Sequence, residues 1–355
     1  MASAYREQVV AAIRATAIHP PIGYSWFGKI SPPFPNRLVR SITSRSARTL
    51  LLFQLQSQLY TDFYCKGGAS PASDDETPLP GVETIEFVTE LAAASRAPGY
   101  CENNGWRVSA INKDRVLVRR GGLEVWARPR DCVNGHGRLI RGARVSLRSP
   151  RALPHISPGF YFVLGKTHRP YRRAPLVRFY WNLTVEGAMC FLAKATKVLD
   201  DAGVPFSLKV ANHPRRFNRC DAGVLYLRHQ DCEPSFESIA KIFAKVGPYL
   251  KPGVPALTKP LAPGLGWAED PNQHDSSTLK GSFGTHRCYL LADGIIRAHE
   301  RGSKSLEARL QVVERRFKTQ GISLEEPFRD CRYDRRYTLD HLAARLTGPI
   351  AAPVS

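Results

Sequence analysis

The sequence predicts an α+β protein in which an N-terminal helical region is followed by a mixed or antiparallel sheet flanked by helices. Three observations carry this. Apolar residues recur near the helical period over much of the first hundred residues. After Pro98-Gly99 the texture changes to alternation of apolar and polar residues, punctuated by turn pairs. Strand-like and helix-like stretches then come in runs without strict alternation. With 355 residues, 43% of them hydrophobic and 10% aromatic, the chain is long enough for one large core or two modest ones and reads as globular.

In order along the chain, residues 1–18 and roughly 36–64 are expected to be helical, the second stretch closed by Gly67-Gly68. ASPASDDETPLPG is an acidic, proline-rich loop, and VETIEFVTELAAASRA a third helix. NNGWRVSAINKDRVLVRRGGLEVWARPRDC then reads as an antiparallel meander turning at Asn112-Lys113-Asp114 and Gly121-Gly122. ARVSLRSP, GFYFVLGK and LVRFYWNL are further strands. Thr184 caps a helix that Gly203 ends. PFSLKVAN and AGVLYLRH are two more strands, and FESIAKIFAKVGPYL a helix. The Pro/Gly-rich stretch KPGVPALTKPLAPGLGWAEDPNQHDSSTLKGSFG reads as one long loop, of a length that is often functional. Helices from Arg287 to about Arg301 and from Ser305 to about Thr319 finish the chain. The domain reading is a helical region over 1–98 and an α+β domain over 99–355. Within the latter lie a small meander at 99–150, a core at 151–301 and C-terminal helices with a tail at 302–355.

No run of apolar residues is long enough to span a membrane. The N-terminus lacks the order of a secretory signal, so a cytoplasmic address is expected. A type III secretion signal has no fixed pattern, and secretion as an effector stays open. The eight cysteines form no C-x-x-C pair, so neither a metal site nor a disulfide framework is expected. Net charge is +20, and between Cys132 and Val185 there is no acidic residue. Arg138, Arg141, Arg144, Arg148, Arg151, Lys166, Arg169, Arg172, Arg173 and Arg178 all fall there. Such a field attracts polyanions, whether an acidic or phosphorylated peptide or nucleic acid. Arginine-rich coding alone is the competing explanation. Nucleic-acid binding ranks behind, because the interleaved aromatics of this region fit strands first.

Lys209 stands alone among apolar residues in PFSLKVAN, and Arg215, Arg216 and Arg219 follow it in the next loop. On residues alone, a lysine snorkelling from a sheet edge beside a solvated loop is the favoured reading. Arg178, Tyr180 and Asn182 alternate along one strand and so share one face.

VRFYWNLTVEGAMCFLAKATKVLDDAGVPFSLKVAN, RFNRCDAGVLYLRH, LTKPLAPGLGWAEDP and SFGTHRCYLLADG together resemble the HopA family over about residues 40–300. The order of strand, helix, strand with lysine, basic loop, strand, helix and S-F-G is also similar to the phosphothreonine lyases and to the lyase domains of lanthipeptide synthetases. The resemblance implies a carbon-oxygen lyase that eliminates phosphate from phosphoserine or phosphothreonine of a ribosomally made precursor peptide. The products are dehydroalanine or dehydrobutyrine. A separate kinase resembling aminoglycoside phosphotransferases is the implied partner, since this chain has no nucleotide motif. No cofactor is implied. By position Lys209 matches the base. The histidine acid of those enzymes has no counterpart in the Arg178–Asn182 strand, where Tyr180 falls near its place, and His286 is the rival acid. Arg178, Arg216, Arg219, Lys259 and Arg287 are the candidate phosphate ligands. Lys259 is expected to close over the phosphate from the long loop. Glu269 and Asp270 are read as orienting a cation or capping a helix. The alternatives are a secreted effector of the same fold and a non-catalytic phosphopeptide-binding protein.

Overall fold

The computed structural model describes residues 3–31, 42–71, 84–95, 99–133, 138–167, 174–271, 281–330, 333 and 339–347. Arg169, Arg172 and Arg173 of the basic region lie outside the described residues. The fold is α+β with antiparallel sheets, as the texture of the sequence implies.

The chain opens with α1 (Ala4–Ala15) and turns into a three-stranded sheet of β1 (Thr16–His19), β2 (Gly23–Trp26) and β3 (Lys29–Ile30). This sheet interrupts the expected all-helical region. The continuous helix read over 1–18 stops at Ala15 because Thr16 and Ile18 are β-branched and Pro20-Pro21 follow. Helix α2 (Ser44–Leu59) begins at Thr43, whose side chain accepts from the Ser46 amide, and runs into a π turn at Tyr60–Tyr64. Helix α3 (Ile85–Ala94) follows. These elements share one hydrophobic core with the large sheet, since Val9, Leu55, Leu59 and Leu91 pack in the same cluster as Phe179 and Leu225.

The meander forms a separate five-stranded sheet in the order β6-β5-β4-β8-β7. Its strands are β4 (Tyr100–Ile111), β5 (Val116–Arg120), β6 (Leu123–Ala127), β7 (Cys132–Val133) and β8 (Arg144–Pro150). Trp106, Val108, Val116, Val118 and Val145 make a small core of its own.

The central sheet has seven strands in the order β14-β15-β11-β13-β12-β10-β9. They are β9 (Ala152–Ser157), β10 (Phe160–Leu164), β11 (Leu176–Trp181), β12 (Phe206–Ala211), β13 (Gly223–Arg228), β14 (Lys259–Ala262) and β15 (Leu265–Glu269). The hairpin β14–β15 lies inside the stretch expected to be one long loop. Proline and glycine hide it: Pro260 is accommodated because β14 is an edge strand, and Gly264 (φ +74°) makes the turn. Strand β9 is a further element absent from the sequence reading.

Helices cover both faces. On one, α4 (Val185–Asp201) and α5 (Phe236–Val246) pack on Trp181, whose ring lies 5.0 Å from Phe191 and 6.4 Å from Phe243. Helix α4 starts where Thr184 accepts from the Gly187 amide, as the sequence implies. On the other face, the π turn and α6 (Phe283–Glu300) bring Tyr64 and Phe283 against Tyr180. Gly284 permits this approach: a Cβ there would stand 2.4 Å from the Tyr64 ring. Ser282 caps α6 by accepting from the Thr285 amide, so this helix starts four residues before the expected Arg287. Helix α7 (Leu306–Lys318) packs on α6, and α8 (Asp340–Thr347) extends the C-terminal helices by one.

Candidate active site

The register of the central sheet decides which candidate residues meet. Val224 of β13 pairs with Lys209 of β12 on one side and Tyr180 of β11 on the other. Phe162 extends that row beyond Lys209, and Gly266 extends it beyond Tyr180. The next row on the same face runs Ser207, Tyr226, Arg178, Ala268. Residues directly opposite in antiparallel strands share a face. Lys209, Tyr180 and Arg178 therefore stand on one side of the sheet, with Lys209 and Tyr180 two strands, or about 10 Å, apart.

Lys209 is half-buried, and its Nζ sits 3.7 Å from the centre of the Phe160 ring. Its pKa is lowered from 10.5 to about 7. Burial is the main cause; Asp221 opposes it, while Arg178 and Arg219 reinforce it. Near neutral pH a large share of this amine is thus unprotonated.

The two arginines named in that balance are each clamped by an aspartate. Arg219 donates from Nε and Nη2 to the two carboxylate oxygens of Asp221, at 2.5 and 2.9 Å, and from Nη2 to the Tyr60 hydroxyl at 3.1 Å. Cys65 Sγ lies 3.2 Å from the same nitrogen. Burial raises the Asp221 pKa, but Arg219, helped by Lys209, outweighs it and holds the carboxyl below its ordinary value. Arg178 donates to Asp270 at 2.8–2.9 Å and lies 4.9 Å from the Tyr226 ring centre. Burial disfavours the Arg178 cation, and Asp270 more than restores it. Each guanidinium is fixed in direction before any ligand arrives.

The remaining candidates are placed differently. Tyr180 is 1% exposed, and burial raises its pKa, so the phenol keeps its proton. Asn182 leaves the face and donates to the carbonyls of Pro252 and Gly253. Arg216 is buried and packs over Gly159, whose φ is +80° and where a Cβ would stand 2.8 Å from the Arg216 Nη1. Arg215 is exposed. Of the three loop arginines, Arg219 therefore acts on Lys209 most directly. His286 lies on α6 with Nδ1 2.7 Å from Nη1 of Arg287; an arginine only donates, so Nδ1 accepts and the ring proton belongs on Nε2.

Arg287 and Lys259 are each held by partners of their own, Arg287 within reach of the charges of Tyr180 and Asp270 and Lys259 on the far side of the sheet. Arg287 is fully buried, with Nε and Nη2 donating to the carbonyls of Pro327 and Arg329, and burial lowers its pKa to about 10. It fastens the 327–330 segment to α6. Lys259 pairs with Trp267, which pairs with Phe179, so it belongs to the opposite face; its Nζ meets Asp340 at 3.1 Å. The loop that was to close over the phosphate is an edge strand held from behind.

Sequence reasoning passed over Asp221, Tyr60, Cys65 and Phe160. Asp221 had a signal, being an acid two residues after Arg219 in an otherwise basic loop. Tyr60 and Cys65 are more than 150 residues away in sequence and had none. Asp270 does orient a cation, Arg178, while its neighbour Glu269 accepts from the Asp330 amide and faces Arg329. Among the described residues no group of three or more His, Cys, Asp or Glu is placed to hold a metal ion, and no helix is long and apolar enough to cross a membrane.

The solved structures similar to this chain include two effector proteins of Pseudomonas syringae. The effector of pv. tomato strain DC3000 is 13% identical, with 82% of this chain and 93% of that chain covered and a TM-score of 0.42. The effector of pv. syringae strain 61 is 16% identical, with 80% and 98% covered and the same TM-score of 0.42. No curated protein matches the chain. The model of the HopA1 effector protein family matches residues 152–329, the segment that carries Arg178, Tyr180, Lys209, Arg219, Asp221, Asp270 and His286. By that match over half of its length, the chain belongs to the HopA1 effector protein family.

Proposed function

We propose that the protein is a phosphoserine/phosphothreonine lyase acting on a peptide, with Lys209 as the base. The observation that carries this is a partly buried lysine on the same sheet face as Arg178, with the charges of Arg178 and Arg219 acting on it and burial lowering its pKa to about 7, both arginines being held in place by aspartates. Elimination needs a base at Cα and cations at the departing phosphate. Neutral Lys209 Nζ takes the Cα proton, and the electron pair of that bond forms the Cα=Cβ double bond. The Cβ–O bond breaks, and phosphate leaves with its electrons. Lys209, now an ammonium, returns its proton to solvent. Arg178 and Arg219 receive the phosphate oxygens. Their charges are already balanced by Asp270 and Asp221, so burial does most of the work of keeping Lys209 neutral.

Tyr180 and His286 remain the two candidate acids for the leaving oxygen. An active Tyr180→Phe variant removes the first, and an active His286→Ala variant the second. A ribosomally made precursor peptide phosphorylated by a separate kinase is the substrate that the sequence resemblance supports. The effector description of the family supports a second setting, in which the same site acts after secretion into a host cell. A neighbouring gene for a kinase and a short Ser/Thr/Cys-rich peptide favours the first setting, and one for a secretion chaperone the second.

The test is mass spectrometry of synthetic phosphothreonine and phosphoserine peptides incubated with the purified protein, with Lys209→Ala alongside. Loss of phosphoric acid with the wild type and not with the variant is the expected result. Bound but unchanged peptide in every sample refutes the lyase reading and leaves a phosphopeptide-binding protein.

A further inference from the structure

The five-stranded sheet lies outside the segment that matches the family model and takes no part in the proposed chemistry. One of its faces covers the small core of Trp106, Val108, Val116, Val118 and Val145. The other is exposed and carries an unusual row. Arg107 of β4 pairs directly with Arg119 of β5 on one side and with Arg144 of β8 on the other. Three arginines thus stand side by side on three adjacent strands, about 4.8 Å apart from strand to strand. All three are exposed. Like charges directly opposite each other destabilise a sheet. Among the described residues no carboxylate lies within ion-pair distance of any of the three; Arg107 Nη1 donates to the Gly142 carbonyl at 3.3 Å.

A concavity of about 600 Å³ opens at the end of this row, lined by Arg107, Arg119, Arg120, Gly105, Leu123 and the Gly121-Gly122 turn. Arg120 is anchored there, 4.4 Å over the Trp106 ring and donating to the Asn104 carbonyl. On the arginine face Leu117 pairs with Trp126, which is 50% exposed. The surface therefore offers three guanidinium forks, only one of which, Arg119, has a carboxylate residue (Glu124) opposite it in register, beside an apolar step.

We infer that this face docks an acidic stretch of polypeptide. An extended peptide places side chains on one side every 6.8 Å or so, a spacing from which alternate carboxylates reach neighbouring forks and pair with them bidentately. One feature favours peptide over single-stranded nucleic acid. Sequence-tolerant nucleic-acid surfaces stack successive bases on several aromatics, whereas among the described side chains this face exposes one, Trp126.

The test is fluorescence anisotropy of the full chain with a fluorescein-labelled peptide of alternating glutamate and leucine. A glutamine–leucine peptide and an oligodeoxythymidine serve as comparisons. Arg107→Glu and Arg119→Glu are each expected to weaken acidic-peptide binding by about tenfold or more. Arg107→Gln, the gentler variant, should weaken it in the same direction. Arg315→Glu, which makes the same change in net charge at an exposed site on α7, should leave affinity unchanged. Equal weakening by Arg315→Glu overturns the inference in favour of diffuse attraction by the whole cationic chain. So does failure of the acidic peptide to bind, or tighter binding of the oligonucleotide with loss in the same row variants. Binding is read without turnover, so the outcome is independent of the lyase reading.

Discussion

Replacing Lys209 by methionine should make the protein more stable while abolishing elimination. In the folded chain the Lys209 pKa is lowered from 10.5 to about 7, chiefly by burial. In the unfolded chain it returns to its ordinary value. Between those two values the unfolded state binds more protons, so wild-type stability rises with pH across this window. The penalty is fully present below about pH 7 and gone above about pH 10.5. At about 1.36 kcal/mol for each pH unit, it amounts to about 4 kcal/mol at pH 7. Methionine has a similar length and no charge, so it removes this penalty. It also loses the ammonium's contact with the Phe160 face, which takes back about 1–2 kcal/mol. The net gain expected at pH 7 is about 2–3 kcal/mol, read by equilibrium unfolding in urea. At about pH 9.5 the same comparison should narrow to about 1–1.5 kcal/mol, because most of the penalty has already been relieved in the wild type and its neutral amine has no ammonium contact to lose. A variant no more stable than wild type at pH 7, or a gap that does not narrow with pH, would mean that Lys209 is solvated and protonated. The base assignment would then fail.

Three further predictions follow from the same site. The rate of phosphate elimination at low substrate should climb with pH and level off above about 7, the pKa of Lys209; a profile still rising steeply at pH 9 points to an ordinary lysine or another base. Asp270→Asn strips the partner from buried Arg178 and should lower stability by about 3–5 kcal/mol and raise KM for phosphopeptide, measured by unfolding and steady-state kinetics. Gly159→Ala forces a residue with a Cβ into φ +80° and brings that Cβ to 2.8 Å from the Arg216 guanidinium, so a loss of about 1–3 kcal/mol is expected in urea unfolding.

Much of the site was legible because short-range rules govern it. Period-two alternation places Arg178 and Tyr180 together, and the lone Lys209 is visible as a polar residue in an apolar strand. Thr184 announces the start of α4 by capping chemistry; Ser282 does the same for α6, but the sequence reading left it in the long loop and began that helix at Arg287. What could not be read is register. Only the pairing of both β11 and β12 with β13 shows that Lys209 and Tyr180 flank Val224, and the pairing of β15 with β14 and β11 puts Lys259 on the far side. The aspartate clamps divide in the same way. Asp221 is two residues from Arg219 and could have been found. The union of Asp270 with Arg178 spans 92 residues and is made by neighbouring strands. The hairpin at 259–269 was missed because proline and glycine, which ordinarily mark loops, here form an edge strand and its turn.

Oxygen tracing tests the central claim most directly. A phosphothreonine peptide is incubated with the wild-type protein in water enriched in oxygen-18, and both products are weighed. Elimination through Lys209 breaks the carbon–oxygen bond. The account therefore predicts a dehydrobutyrine peptide, phosphate free of the heavy isotope at the moment of release, and neither product with Lys209→Ala. A threonine peptide together with phosphate carrying oxygen-18 would contradict it, since water would then have attacked phosphorus and the site would be that of a phosphatase.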